Sequence, residues 1–256
     1  MLLKGSLRKI FPFLFSSQKR LAFGVEESPN QYPLEKARYV VMAEFLRAEY
    51  QRLGRPVRVL DIGCSEGMML LYSKKADVQA EFYGVDILEE RKAVALQRGY
   101  KDVLLRDVRQ CDFLDYRGFF DVVICSHILE HLEEPGDLLR KLNGALSKDG
   151  LLIGGVPIGL WIGILWRKYI SHFYKRRHQR KALLDRFGHV TFFTLPALKK
   201  LLKETGFDTE ECRGDYLIRA REFFLEDYKW WFDFNQWYGR LFPGILGCVT
   251  FRARKR

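Results

Sequence analysis

Residues 57–67 read VRVLDIGCSEG. A β-branched and apolar run reaches an acid, Asp61, and a turn flanked by Gly63 and Gly67 follows at once. Glycine lacks the Cβ that would hold a ligand off the main chain, and amides at a helix start can point toward such a ligand. Nineteen residues after Gly67, a second strand-like run ends at Asp86. An acid at the tip of that strand is placed to accept hydrogen bonds from two ribose hydroxyls. Together the two segments describe a site for a nucleoside-containing cofactor at the carboxyl ends of parallel strands.

A cofactor held there needs an acceptor and, for some acceptors, a base. Two histidines fall where loops gather over such a site, His131 and His189. Both are candidate catalytic residues. His127 to His131 also spells H-x-x-E-H, an inverted zinc-protease string. That chemistry needs the string on a helix. Here it follows the buried run Asp121-Val122-Val123-Ile124-Cys125, so the protease reading is set aside.

The elements that must position these residues follow from periodicity and punctuation. Leu34–Leu53 has helical apolar spacing and stops at Gly54. Strands are expected at Val57–Asp61, Ala80–Asp86, Asp102–Arg106, Phe119–Cys125 and Leu151–Val156. Helices are expected between them at Met68–Lys75, Glu89–Arg98 and Pro135–Leu146, the last with proline in its first turn and followed by a turn at Ser147-Lys148-Asp149-Gly150. This alternation predicts a doubly wound, mostly parallel α/β sheet. A further helix is expected at Leu195–Thr205, with strands at Phe207–Arg213 and Cys248–Ala253.

The order of these pieces resembles the class I S-adenosylmethionine-dependent methyltransferases, of the small-molecule type found in ubiquinone biosynthesis. Gly63-Cys64-Ser65-Glu66-Gly67 is similar to their glycine motif, with Ser65 in place of the middle glycine. Leu129-Glu130-His131-Leu132, Lys148-Asp149-Gly150-Leu151 and His189-Val190-Thr191-Phe192-Phe193-Thr194 resemble later segments. The resemblance implies a Rossmann-like sheet of seven strands and S-adenosylmethionine as cofactor. It implies cofactor contacts at Asp61, Gly63, Cys64, Gly67, Asp86, Ile87, Asp107 and Val108. Asp86 would bind the ribose, and Asp107 with the following amide would read the adenine. The ubiquinone enzymes carry an E-x-x-E-H segment linked to a divalent cation. His127 replaces its first Glu, and no metal is expected.

The charge of +11 is uneven. Residues 1–20 hold five bases and no acid, and residues 167–186 hold eight bases and one acid. The organisation expected is a basic, apolar arm over 1–33 and a methyltransferase domain over 34–256. The domain carries a basic and aromatic helical lid at 158–187, after the fifth strand, and an aromatic-rich segment at 214–243. Residues 150–166 are uncharged, but the fifth strand uses the first of them, and Ile158–Trp166 is too short to span a bilayer. Trp161 and Trp166 beside bases suit an anionic headgroup region. Five cysteines without a C-x-x-C pair suit a reducing, cytoplasmic compartment. The function expected is methyl transfer to a small or lipid-linked acceptor, with peripheral membrane contact. The alternatives are an RNA methyltransferase and an inactive, binding-only relative.

Overall fold

In a computed structural model, residues 37–159, 188–215, 229–245 and 247–256 are described. The arm at 1–33 and nearly all of the lid at 158–187 lie outside them, as does part of the aromatic segment. The elements are α1 (Ala37–Leu53), β1 (Val57–Ile62), α2 (Met68–Lys75), β2 (Ala80–Asp86), α3 (Glu89–Arg98) and β3 (Asp102–Leu105). Then come β4 (Phe120–Ser126), α4 (Pro135–Ala145), β5 (Leu146–Pro157), α5 (Leu195–Glu204), β6 (Phe207–Gly214), α6 (Lys229–Leu241) and β7 (Cys248–Lys255).

Seven strands form one sheet in the order β3-β2-β1-β4-β5-β7-β6. All pair in parallel except β7, which runs antiparallel to both β5 and β6. Successive side chains of a strand face opposite sides of a sheet, so each central strand feeds two cores. Val122 and Ile124 join Val41, Phe45, Leu46, Met69 and Leu70 from α1 and α2. Val123 and Cys125 join Leu138, Leu139, Leu142, Leu198 and Leu202 from α4 and α5. This two-sided burial is why the central strands read as continuous apolar runs.

The turn expected at 147–150 is a bulge inside β5. The register steps from Phe120↔Leu146 to Val122↔Leu151, and Asp149 takes a φ of +57°. Gly154 leaves room for an aromatic ring: a Cβ there would lie 2.3 Å from Cζ of Phe251 on β7. Ile158 forms a parallel bridge with Phe193, and the Gly159 amide donates to the Phe193 carbonyl at 3.1 Å. The two ends of the long insertion therefore meet at the carboxyl end of β5.

Asp121 ties β4 to the start of β1. Its carboxylate accepts from both Arg55 guanidinium nitrogens at 2.8 Å and from the Arg58 amide at 3.0 Å. Burial alone would raise its pKa, but the Arg55 and Arg58 hydrogen bonds outweigh it and hold the carboxyl well below its ordinary range. A depressed value adds stability above the unfolded pKa of 3.8, and that part is lost as pH falls through the folded value. Asp121→Ala is expected to lower stability by about 2–3 kcal/mol, since charge-assisted bonds to a buried acceptor vanish. Urea unfolding at neutral and acid pH checks this. A variant as stable as the parent at neutral pH would discount the tie.

Candidate functional site

The strand order reverses between β1 and β4, and ligands of open α/β sheets bind in the crevice at that point. The glycine turn lies on one side of it. Gly63 and Gly67 have φ values of +69° and +76°, which glycine adopts without strain. Gly67 is buried and Gly63 exposed, yet in both the Cβ direction is occupied by a side chain. A Cβ on Gly63 would sit 2.6 Å from Cδ1 of Ile128, and one on Gly67 would sit 2.7 Å from Cε2 of Tyr100. The turn's amides are largely spent inside the protein. Gly63 and Cys64 donate to the Val85 carbonyl at 2.8 and 3.1 Å, and Gly67 donates to the Cys64 carbonyl at 2.9 Å. Close approach of the backbone, more than free N–H groups, is what these glycines provide. The Cys64 side chain turns inward, where a Cβ on Gly84 would meet its sulfur at 2.6 Å.

Asp86 ends β2, next to β1 on the same side of the reversal. One carboxylate oxygen accepts from the Ser65 amide at 2.8 Å; the other accepts from Ile87 at 2.8 Å and Leu88 at 3.1 Å. The side chain is buried. Two carboxylate oxygens offer about four lone-pair sites, so three backbone donors leave capacity for a ligand hydroxyl. Beside it, Ile87 is 65% exposed and Leu105, at the end of β3, is 40% exposed. Asp107 caps the short 3-10 turn at 108–110 and is held by Arg109, whose hydrogen bonds keep its pKa low. Val108 begins that turn.

Asp61 is buried at the end of β1 and accepts a hydrogen bond from the Tyr100 hydroxyl at 2.7 Å. Burial pushes its pKa from 3.8 up to about 7; the Tyr100 bond opposes this, and the charge of Asp86 adds to it. Tyr100 carries no motif signal, since it follows a helix-ending glycine in a polar stretch.

The segment after β4 forms the far side. His127 Nδ1 lies 3.1 Å from Oε1 of Glu130, which is buried. His131 and His189 meet edge to face, with ring centroids 4.9 Å apart, and His131 Nδ1 lies 3.0 Å from the Gly188 carbonyl. The Glu130 carbonyl accepts from the amides of Val190 and Thr191 at 2.9 and 3.0 Å, and Thr191 Oγ1 donates to the Leu132 carbonyl at 2.6 Å. Two segments sixty residues apart are thereby stitched together. The carboxylate pair that a hard, oxygen-seeking cation prefers is not present at 127 and 130, where a hydrogen-bonded imidazole faces one carboxylate.

Asp61 gives a pH test of this site. A raised folded pKa stabilises the protein below 3.8, and that contribution is lost as pH climbs toward about 7. Asp61→Asn keeps an acceptor for Tyr100 without the charge. The variant's advantage in thermal stability should therefore grow between those two values and then level off. Its limit is on the order of 4 kcal/mol. Calorimetric unfolding across the pH range checks it, and parallel pH curves for the two proteins would rule out the raised pKa.

Comparison with known proteins bears on the family and the fold. The sequence profile described as "Methyltransferase domain" matches residues 34–211. An uncharacterized protein of Synechococcus is 33% identical over 113 residues, 42% of this chain and 27% of that protein. A ubiquinone biosynthesis O-methyltransferase of Xanthomonas axonopodis pv. citri is 26% identical over 183 residues, 68% of this chain and 71% of the relative. Six further ubiquinone biosynthesis O-methyltransferases are spanned over 38–64% of their length. Among solved structures, the 1,6-didemethyltoxoflavin-N1-methyltransferase of Burkholderia thailandensis, bound to S-adenosylhomocysteine, is 19% identical. It aligns with a TM-score of 0.55 over 86% of this chain and 79% of its own. A seven-stranded sheet with one reversed strand, a glycine turn and an acid at the tip of β2 thus meet a profile that covers most of the chain, and the chain belongs to the methyltransferase-domain family, with the fold of the class I S-adenosylmethionine-dependent methyltransferases.

Proposed function

We propose that this protein transfers a methyl group from S-adenosylmethionine to a hydroxyl of a small or lipid-linked acceptor, at a membrane surface. The observation that carries the reading is the strand-end carboxylate of Asp86, which is bonded to the Ser65 amide of the glycine turn, keeps capacity for a ligand hydroxyl and lies beside the exposed apolar residues Ile87 and Leu105. S-adenosylmethionine fits this arrangement. Gly63 and Gly67 let the backbone approach the cofactor, with Cys64 between them in the same turn. Asp86 receives the ribose hydroxyls, and Ile87 packs on the adenine. Asp107 and the Val108 amide read the base edge, Asp107 turning away from Arg109 to do so. Asp61 faces the cationic end, and a cation beside it would draw it into the ionised form.

The bound cofactor supplies an activated sulfonium methyl group. The protein's part is to align the acceptor and keep water out. His131 and His189 line the acceptor side, next to Val190 and Phe192, which are 53% and 42% exposed. Apolar side chains beside two imidazoles suit an acceptor that is greasy with a polar tip. The relatives named as O-methyltransferases support oxygen as the methylated atom.

Support for the membrane comes from α6. Trp230, Phe234, Trp237 and Leu241 are exposed at spacings of four, three and four, which places them on one helical face, with Phe242 just beyond. On the same helix Trp231, Phe232 and Asn235 are buried. An aromatic face of this kind suits the interfacial layer of a bilayer. Among the described residues, no helix is long and apolar enough to cross a membrane. The basic runs at 1–20 and 167–186 would add attraction to anionic lipid.

Two measurements test this reading. Purified protein with methyl-labelled S-adenosylmethionine should label a catechol bearing a long alkyl chain, and not total RNA; the reverse preference would install the RNA reading. Asp86→Ala should weaken S-adenosylhomocysteine binding by about 1–3 kcal/mol in calorimetry. Separately, the protein should co-sediment with phosphatidylglycerol vesicles and be released by salt. Trp230→Ala with Trp237→Ala, or Gln at Arg176, Arg177, Arg180 and Lys181, should each weaken that binding at least about tenfold, since each base near the surface contributes about 1 kcal/mol. Undiminished binding in both variants would discard the membrane contact.

A further inference from the structure

Three side chains able to hold a metal come together from three separate elements, at the carboxyl ends of β4, β5 and β6. His127 directly follows β4, Asp215 directly follows β6, and Cys248 opens β7. One ring nitrogen of His127, one carboxylate oxygen of Asp215 and the Cys248 sulfur lie within 4.8 Å of one another. The reversed course of β7 is what brings Cys248 to this end of the sheet, where it pairs with Pro157 at the close of β5. Cys248 is in no disulfide. Asp215 and Cys248 are buried, while the His127 side chain keeps 24% of its surface and so gives the group its contact with solvent.

Each of these side chains is braced. His127 Nδ1 lies 3.1 Å from Oε1 of Glu130, whose side chain is 1% exposed. A carboxylate only accepts hydrogen bonds, so in the neutral ring the Nδ1 hydrogen faces Glu130 and the Nε2 lone pair remains for an ion. Metal-bound histidines commonly hold their other nitrogen against a carboxylate in this way, which fixes the ring and raises its basicity. Thr250 Oγ1 donates to Asp215 Oδ1 at 2.7 Å, and the Asp215 amide donates to the Cys248 carbonyl at 2.9 Å. His127 takes a φ of +57°, a left-handed value that non-glycine residues seldom adopt, and its amide is held by the Gly155 carbonyl at 2.7 Å. Strained residues of this kind cluster at functional sites.

A ring nitrogen, a sulfur and a single carboxylate oxygen make a borderline-soft donor set. It suits Zn²⁺, and not Mg²⁺ or Ca²⁺, which take oxygen. Bond lengths of about 2.0–2.3 Å give ligand spacings of roughly 3.3–3.8 Å in a tetrahedral site, so side-chain shifts of up to about 1 Å close this group on an ion. A thiolate and a carboxylate together also cancel the charge of a divalent cation. We propose that His127, Asp215 and Cys248 bind one Zn²⁺ ion, with water in the fourth tetrahedral position and with Glu130 and Thr250 orienting the ligands. Bound there, the ion ties the ends of β4, β6 and β7 together. Its binding is independent of which atom the protein methylates and of any membrane contact. Glu130, His131 and His189 also come within 4.8 Å of one another, but that group has no sulfur, and a spectrum separates the two.

The full chain, stripped by a chelator and dialysed, is titrated with Zn²⁺ and with Co²⁺. Zn²⁺ should bind tightly at one per chain. Co²⁺ should give the visible bands of a tetrahedral ion and a thiolate-to-metal charge-transfer band, both displaced by Zn²⁺. Thr250→Val, which takes away the bond to Asp215, should keep the sulfur band and lower Zn²⁺ affinity by about 10–100-fold, the usual loss for a residue that orients a ligand. Cys248→Ser should abolish the sulfur band and cost more affinity than that. His131→Ala with His189→Ala should leave band and affinity as in the parent. If circular dichroism shows that Cys248→Ser does not fold, the parent's cobalt spectrum and Thr250→Val decide, and unchanged affinity in Thr250→Val then overturns the proposal. A parent that takes up neither ion overturns it as well, and leaves Arg38 as the counter-charge of Asp215. So do a cobalt complex without a sulfur band, a sulfur band that survives Cys248→Ser, and a site lost when His131 and His189 are replaced.

Discussion

One carboxylate ties the ends of β1 and β2 together. Asp86 reaches from the tip of β2 to the Ser65 amide in the turn after β1, and back to the amides of Ile87 and Leu88. Without it, three buried or half-buried N–H groups would lose their acceptor, at a cost of order 1–3 kcal/mol for each group left unsatisfied. The same bonds set the distance between the two strand ends. Gly63 and Gly67 suit this turn because both take left-handed φ values, and at Gly67 the Tyr100 ring also occupies the space a Cβ would take. Asp61 is buried by the same closure, and its raised pKa is a consequence of it.

The opposite wall depends on a different kind of bond. The Glu130 main-chain carbonyl receives Val190 and Thr191, while the Glu130 side chain turns inward to His127. One residue thereby serves both the hinge of a long insertion and the polarity of the site. The insertion leaves the sheet at Ile158 and has rejoined it at Phe193.

The reversed strand β7 explains why the site is richer than a plain parallel sheet. It brings Thr250 and Cys248 in from the far end of the chain, and with β6 it delivers Asp215 to the neighbourhood of β4. The α6 helix packs against the same edge through a glycine contact. A Cβ on Gly239 would lie 1.9 Å from the Gly214 carbonyl oxygen, so no side chain is tolerated there. That approach fixes which face of α6 is buried and leaves its aromatic stripe outward.

Much of this was legible in the amino-acid order. Apart from β5, which begins at Leu146 and not at Leu151, the alternating apolar runs gave the strands to within one or two residues, because strands buried on both faces leave little freedom in residue type. The glycine turn and Asp86 were legible because their chemistry is local: a sharp turn and a strand-end acid need only a few adjacent residues. The bulge in β5 read as a turn, since a stretch such as Ser147 to Gly150 carries turn chemistry wherever it falls. What the sequence could not determine were pairings across distance. Tyr100 against Asp61, Ile128 against Gly63 and Asp215 near His127 are separated by 39, 65 and 88 positions, and no period or spacing encodes them. Burial decided the rest: the pKa of Asp61 and the enclosure of Glu130 arise only when the sheet closes over them and removes water from around the charge.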